Sequence, residues 1–104
     1  MEKIVEQGLL YDFYGELLTE HQKQVYEAYV YEDMSLSEIA EAFSISRQGV
    51  HDLIKRCDKI MNSYEEKLQL MDKFTKIKGI VSEIKKCSGQ AEVRKLADQI
   101  LDDL

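Results

Sequence analysis

The chain has 104 residues, no proline, five glycines and a formal net charge of −6 at pH 7. This length suits one domain with one core. The sequence contains neither an apolar stretch of the roughly 20 residues that span a membrane nor a signal-peptide pattern. Because proline and alternating β-branched runs are absent, we expect an all-α helical bundle. We also expect a cytoplasmic location without membrane insertion.

Two helices are predicted in the first third of the chain. Apolar residues at helical spacing indicate a first helix from about Lys3 to Gly15. Thr19 followed three residues later by Gln22 is typical of a capping box, in which each side chain bonds a backbone N–H of the other residue. This box predicts the start of a second helix, which extends to about Tyr31.

Residues 35–61 have the pattern of a helix-turn-helix. Ser35 and Glu38 form a second capping box at the start of its first helix. The turn is expected at residues 44–46, with Ser46 as the N-cap of the second helix. Val50, Leu53 and Ile54 follow at spacing i, i+3 and i+4 and are expected to face inward from that second helix.

The outward positions of the second helix carry side chains that can recognise DNA. Arginine can bond the edge of guanine with two hydrogen bonds, and glutamine can do the same with adenine. The cations further along the helix can meet phosphates. We therefore predict a DNA-binding face, and the alternative is a solvated polar face on a three-helix domain. The predicted DNA-binding residues are Ser46, Arg47, Gln48, His51, Lys55, Arg56 and Lys59.

The C-terminal part, residues 63–104, is predicted to add amphipathic helices to a helical domain of residues 1–62. The chain either breaks at residues 62–66 or runs on as one helix. A heptad seam follows, too short to be stable alone. It is expected to pack on the first helix of its own core or on the same helix of a dimer partner. The seam residues are Leu70, Phe74, Ile77, Val81 and Ile84, and a last amphipathic helix covers Ala91 to Leu104.

Charge argues against simple DNA binding. Residues 1–45 carry a net charge of −8, whereas residues 46–104 carry +2. Non-specific DNA affinity comes mainly from lysine and arginine, which neutralise phosphates. Only residues 47–59 are locally basic, with four cations against Asp52 and Asp58. An acidic surface also suits a basic protein partner.

No catalytic or metal-binding pattern is present. Cys57 and Cys87 stand alone, without a second cysteine or histidine at ligand spacing, and are expected to be small apolar fillers. His21 and His51 are also isolated. We therefore expect no enzyme activity, no metal and no cofactor.

The stretch from Leu17 to about Leu68 resembles region 4 of bacterial sigma factors. The matching runs are Leu-Leu-Thr-Glu-His-Gln-Lys-Gln-Val from Leu17, Leu-Ser-Glu-Ile-Ala-Glu from Leu36, and Ile-Ser-Arg-Gln-Gly-Val from Ile45. Gly49 departs from the pattern, because sigma factors usually carry threonine there.

The chain up to about Lys78 also resembles the YlxM family of small Firmicute proteins. That resemblance rests on Leu-Tyr-Asp-Phe-Tyr-Gly-Glu-Leu-Leu-Thr from Leu10, followed later by the Ser-Arg-Gln run from Ser46. It implies an all-helical fold with a sigma-like helix-turn-helix. It also implies a link to the signal recognition particle pathway of protein targeting.

Two functions follow as hypotheses. The first is a DNA-binding regulatory protein, expected to be a homodimer, that takes part in the signal recognition particle pathway. The second is a protein-interaction module that keeps the helix-turn-helix as a scaffold. Such a module would bind a component of the signal recognition particle or a targeting GTPase. A third and weaker hypothesis is that the predicted DNA-binding face binds the particle's RNA. It is weaker because RNA duplex grooves do not admit a helix in the same way.

Overall fold

The computed structural model describes residues 2–87 and 89–104, and these residues form helices without any strand. The all-α prediction is confirmed. The described part of the chain divides into two compact units, Met1–Leu68 and Gln69–Leu104. In chain order the elements are α1 (Lys3–Tyr14), a 3-10 turn (Gly15–Leu17), α2 (Glu20–Val30), α3 (Leu36–Phe43), α4 (Arg47–Leu68), α5 (Leu70–Cys87) and α6 (Ala91–Asp103).

Both predicted capping boxes are present. At the start of α2, the backbone N–H of Gln22 donates to Thr19 Oγ1 over 3.2 Å, and the backbone N–H of Thr19 donates to Gln22 Oε1 over 2.9 Å. Ser35 and Glu38 make the same reciprocal pair at the start of α3. The backbone N–H of Ser35 stabilises the carboxylate of Glu38 and lowers its pKa. These local bonds fix where each helix begins.

The core of the first unit is built around α4, against which α1, α2 and α3 pack. Tyr14, Tyr26 and Met61 are the largest of its fully buried aromatic and sulfur-containing side chains. The rings of Tyr11 and Tyr26 stack with their centroids 5.4 Å apart. The backbone at Gly15 lies against the Tyr11 ring, so that a Cβ there would come within 2.7 Å of the ring. Glycine, which has no Cβ, fits this position.

A polar cluster joins α1, α2 and α4 inside this core. The carboxylate of Asp58 accepts a hydrogen bond from Gln7 Nε2 over 2.8 Å and a second one from the hydroxyl of Tyr26. Tyr26 is fully buried and Gln7 is 6% exposed. Buried polar groups of this kind need hydrogen-bond partners within the protein, because a buried donor can no longer bond water. Asp58 is therefore a structural residue that fixes the three helices in register.

The buried tyrosines predict a loss of stability in alkali. Burial, followed by the bond to Asp58, raises the pKa of Tyr26 above its usual 10, and burial, followed by the bond with Glu27, raises the pKa of Tyr11. A folded-state pKa above the unfolded value gives stability that is complete below pH 10 and is lost as the pH rises further. For Tyr26 the expected loss is about 1.4 kcal/mol per pH unit above 10.

Urea unfolding at about pH 8, 10 and 11 measures this loss. The denaturation midpoint of the wild type should fall between pH 10 and 11, and Tyr26→Phe should show a shallower fall because the titrating hydroxyl is gone. If the denaturation midpoints of the two proteins fell in parallel with pH, the titration of Tyr26 would not be the cause of the loss.

Helix α4 ends at the division between the two units. Helix α4 runs through residues 62–66 without a break and ends at Leu68. Gln69 then adopts a left-handed backbone with φ 55°. Such a conformation is uncommon outside glycine and ends a helix. The division between the two units therefore falls at Leu68–Gln69.

The second unit is an antiparallel pair of helices. Lys85 Nζ on α5 lies 2.5 Å from Asp98 Oδ1 on α6. Ser82, one turn earlier in α5, lines the same shallow depression as Leu101, which is one turn later in α6. Within this unit α5 packs on α6, a neighbour that the sequence analysis did not consider for the heptad seam. Val81 and Ala97 are buried.

None of the helices in the described residues is long and apolar enough to cross a membrane.

Candidate nucleic-acid interface

The turn between α3 and α4 is set by local backbone bonds. Ser44 takes a left-handed conformation with φ 55°, which ends α3 as a C-cap. The backbone N–H of Ile45 donates to the carbonyl of Ala40 over 3.0 Å. Ile45 is half-buried at the corner between the two helices. The predicted three-residue turn at 44–46 is therefore present, and α4 starts at Arg47.

Ser46 caps α4 as predicted. Its Oγ accepts a hydrogen bond from the backbone N–H of Gly49 over 2.9 Å. A Cβ at position 49 would stand 3.0 Å from that same Oγ. Glycine at position 49 therefore leaves room for the capping hydroxyl.

Loss of the cap should destabilise the protein. Ser46→Ala removes the acceptor for the Gly49 N–H and is expected to lower the free energy of unfolding by about 1 kcal/mol. Ser63→Ala, an exposed serine inside the same helix, is the matched control and should leave stability unchanged or slightly raise it. Urea denaturation followed by circular dichroism gives both values. Equal stability of the two variants would show that Ser46 does not stabilise α4 as its N-cap.

The predicted DNA-binding residues are Ser46, which precedes α4, and six residues that spread over about half of the helix circumference at 100° per residue. Six of the seven are exposed and His51 is half-buried. Asp58, counted against this basic stretch in the sequence, turns inward to Gln7 and Tyr26 instead. Within residues 47–59 the outward face thus holds one acid, Asp52, against four cations. The cations are Arg47, Lys55, Arg56 and Lys59.

Asp52 is in contact with two of the predicted DNA-binding residues. Its Oδ1 accepts a hydrogen bond from Gln48 Nε2 over 2.9 Å and lies 3.6 Å from His51 Nδ1. That histidine nitrogen is buried and makes no hydrogen bond. Gln48 must release Asp52 before its amide can bond a base edge with both of its groups. The carboxylate thus holds the side chain in place on the free protein.

The start of α2 lies beside the second helix of the helix-turn-helix. Thr19, His21 and Gln22 line a cleft together with Gly49, Asp52, Leu53 and Arg56 of α4. The His21 ring also packs edge-on against Phe43, with 6.2 Å between the centroids. Sequence reasoning placed His21 only on the surface. The Thr19 capping box marked this helix end, but nothing in the spacing of residues showed that it faces α4.

The predicted partner seam is divided between buried and exposed positions. Val81 is buried and Phe74 is half-buried, with Lys78 Nζ 5.8 Å from the centroid of its ring. Leu70, Ile77 and Ile84 are exposed over 39–45% of their surface. The five residues therefore do not point at one neighbour inside the second unit.

Comparison with known proteins agrees with this geometry. Residues 1–100 match the model of a family described as "Putative helix-turn-helix protein, YlxM / p13 like". A UPF0122 protein of Clostridium perfringens (strain 13 / Type A) is 45% identical over 109 residues, with 100% of this chain and 97% of the relative covered. A UPF0122 protein of Bacillus licheniformis is 43% identical over 101 residues, with 96% of this chain and 94% of the relative covered.

A third relative is a UPF0122 protein of Caldanaerobacter subterraneus subsp. tengcongensis. It is 48% identical over 79 residues, which cover 76% of this chain and 68% of the relative. The match of the family model extends from the first helix to residue 100, within the last helix. The capped turn and the outward basic face of α4 lie inside the matched region. The chain therefore belongs to the YlxM / p13-like family of helix-turn-helix proteins.

Proposed function

We propose that this protein is a cytoplasmic DNA-binding regulatory protein that acts as a dimer and places α4 in the major groove. The observation that carries the proposal is the exposed face of α4, where four cations stand against one acid. Arg47 and Gln48 lie in the first turn of α4, from which a recognition helix contacts base edges. Lys55, Arg56 and Lys59 follow on later turns, where phosphates can be met.

The inward turn of Asp58 supports this proposal. With Asp58 bonded to Gln7 and Tyr26, its carboxylate is engaged by α1 and α2. The acids of α3, Glu38 and Glu41, are exposed and will repel phosphate. Binding is therefore expected to depend strongly on salt and on the small basic face rather than on the whole surface.

Selection of binding sites from a random duplex pool tests the proposal. Wild-type protein should enrich a defined sequence. Arg47→Ala should lose affinity for that sequence by about 1–3 kcal/mol and should relax selection at one base pair. Enrichment of no sequence by the wild type, or an unchanged preference in Arg47→Ala, would contradict the assignment of Arg47 to base contact.

A second candidate is a protein-interaction module whose partner is a basic component of the signal recognition particle or a targeting GTPase. The observation that favours it is the charge of the first unit, in which residues 1–68 carry fourteen acids and seven basic residues. A basic partner should then co-purify at low salt and dissociate as the salt is raised. Failure of these components to bind at any ionic strength would exclude this candidate.

A further inference from the structure

Asp52 lies among the predicted DNA-binding residues of α4, although its charge opposes phosphate. It is two residues after Val50 and two residues before Ile54, both of which are buried. Two residues correspond to a rotation of about 200° around a helix, so Asp52 faces away from this core. Gln48 and Arg56, one turn before it and one turn after it, are exposed. The carboxylate therefore stands on the side of α4 that the proposed function places in the groove.

The carboxylate of Asp52 is accessible in this position. The side chain is 65% exposed, and its Oδ1 accepts a hydrogen bond from Gln48 Nε2 over 2.9 Å. A carboxylate offers about four acceptor sites on its two oxygens, so this bond leaves most of them free. Because an ionised carboxylate accepts hydrogen bonds but donates none, Asp52 can bond only a donor on DNA.

The base edges in the major groove differ in what they offer a carboxylate. Cytosine presents its N4 amine, which donates. Guanine presents the acceptors N7 and O6, thymine presents the acceptor O4, and adenine places the acceptor N7 beside its N6 amine. A carboxylate therefore bonds cytosine best, whereas beside guanine or thymine it gives up bonds to water and gains none. Such a repulsive contact achieves specificity by rejecting the wrong sequence.

We propose that Asp52 is a specificity-determining residue, which accepts a hydrogen bond from the N4 amine of a cytosine and disfavours guanine and thymine at that base pair. The inference rests on the proposed function, because it needs α4 in the major groove. Asp52 lies about 7.5 Å further along the helix than Arg47 at 1.5 Å per residue, and one base-pair step is about 3.4 Å. The two residues therefore address different base pairs.

Selection from a random duplex pool by the wild type, Asp52→Ala and Asp52→Asn tests the assignment. The wild type should select cytosine at one base pair, where a change to guanine should weaken binding about tenfold or more. Asp52→Ala should reduce this ratio to about twofold or less, because nothing remains to reject guanine. Asp52→Asn should shift the preference to adenine, since asparagine bonds adenine N6 and N7 with both of its groups.

Two further variants separate this base contact from other roles of the carboxylate. Glu41→Ala removes an exposed acid of α3 and should raise affinity for all sequences without changing the selected bases. Gln48→Ala removes the side chain that Asp52 holds and should keep the selection of cytosine. Every variant should keep the far-UV circular dichroism of the wild type.

The outcomes distinguish this inference from the proposed function. A uniform gain in affinity with unchanged base preference in Asp52→Ala would overturn the inference and leave Asp52 as a general repulsive charge. Loss of the cytosine preference in Gln48→Ala would also overturn it, because Asp52 would then act only by positioning Gln48. In both cases a wild type that still selects a sequence leaves the proposed function standing. A wild type that selects no sequence would refute both together.

Discussion

Asp58→Ala is expected to lower the free energy of unfolding by about 3 kcal/mol, because two buried donors lose their acceptor together. The hydroxyl of Tyr26 and the amide of Gln7 both bond this carboxylate, and Tyr26 is fully buried whereas Gln7 is 6% exposed. For the first unit of the chain, a loss of this size corresponds to a fall in the melting temperature of roughly 10 °C or more. Urea and thermal unfolding both measure it.

Asp52→Ala is the matched control for this change. Asp52 is the same residue type on the same helix, but its side chain is 65% exposed. Its loss is expected to change stability by no more than about 0.5 kcal/mol. A double-mutant cycle of Asp58→Ala with Tyr26→Phe should give a clear coupling energy, since the two groups share one bond. Additive effects, or equal stability of the two aspartate variants, would refute the structural role of Asp58.

Lys55→Ala/Lys59→Ala is expected to weaken binding to every DNA sequence and to flatten its dependence on salt. Both lysines are exposed on the outward face of α4. Each phosphate contact that is lost should reduce the slope of log affinity against log salt by about 1. The preferred sequence should stay the same, because phosphate contacts position the protein without specifying bases.

The charge-matched control is Lys3→Ala/Lys67→Ala, which removes two exposed lysines of the first unit outside the predicted face. It lowers the net charge equally but should keep the wild-type slope, apart from a small general repulsion. Equal loss of affinity in the two double variants would mean that net charge, and not the face of α4, determines the interaction with DNA.

Local signals in the sequence were sufficient for the helices and their starts. The boxes at Thr19 and Ser35 and the cap at Ser46 depend on residues three positions apart, so their bonds follow from spacing alone. The start and turn of the helix-turn-helix followed from these signals. The end of α4 did not, because the left-handed residue that ends it is Gln69 and not glycine.

Contacts between residues far apart in the chain could not be predicted from the sequence. Asp58 lies in a stretch of outward charges, and only the folded arrangement of α1 and α2 turns it into an acceptor for Gln7 and Tyr26. For the same reason, the packing of α5 on α6 was not foreseen. A heptad pattern gives the apolar side of a helix but does not identify what covers it.

The measurement that tests the central claim most directly is a titration of labelled genomic duplex fragments with wild-type protein, followed by fluorescence anisotropy at two salt concentrations. If the four cations of α4 meet phosphates, affinity should be micromolar or tighter at about 50 mM salt and should fall on the order of 100-fold at about 200 mM. Absence of binding at the lower salt concentration would contradict the account and would direct attention to the acidic surface and its protein partners.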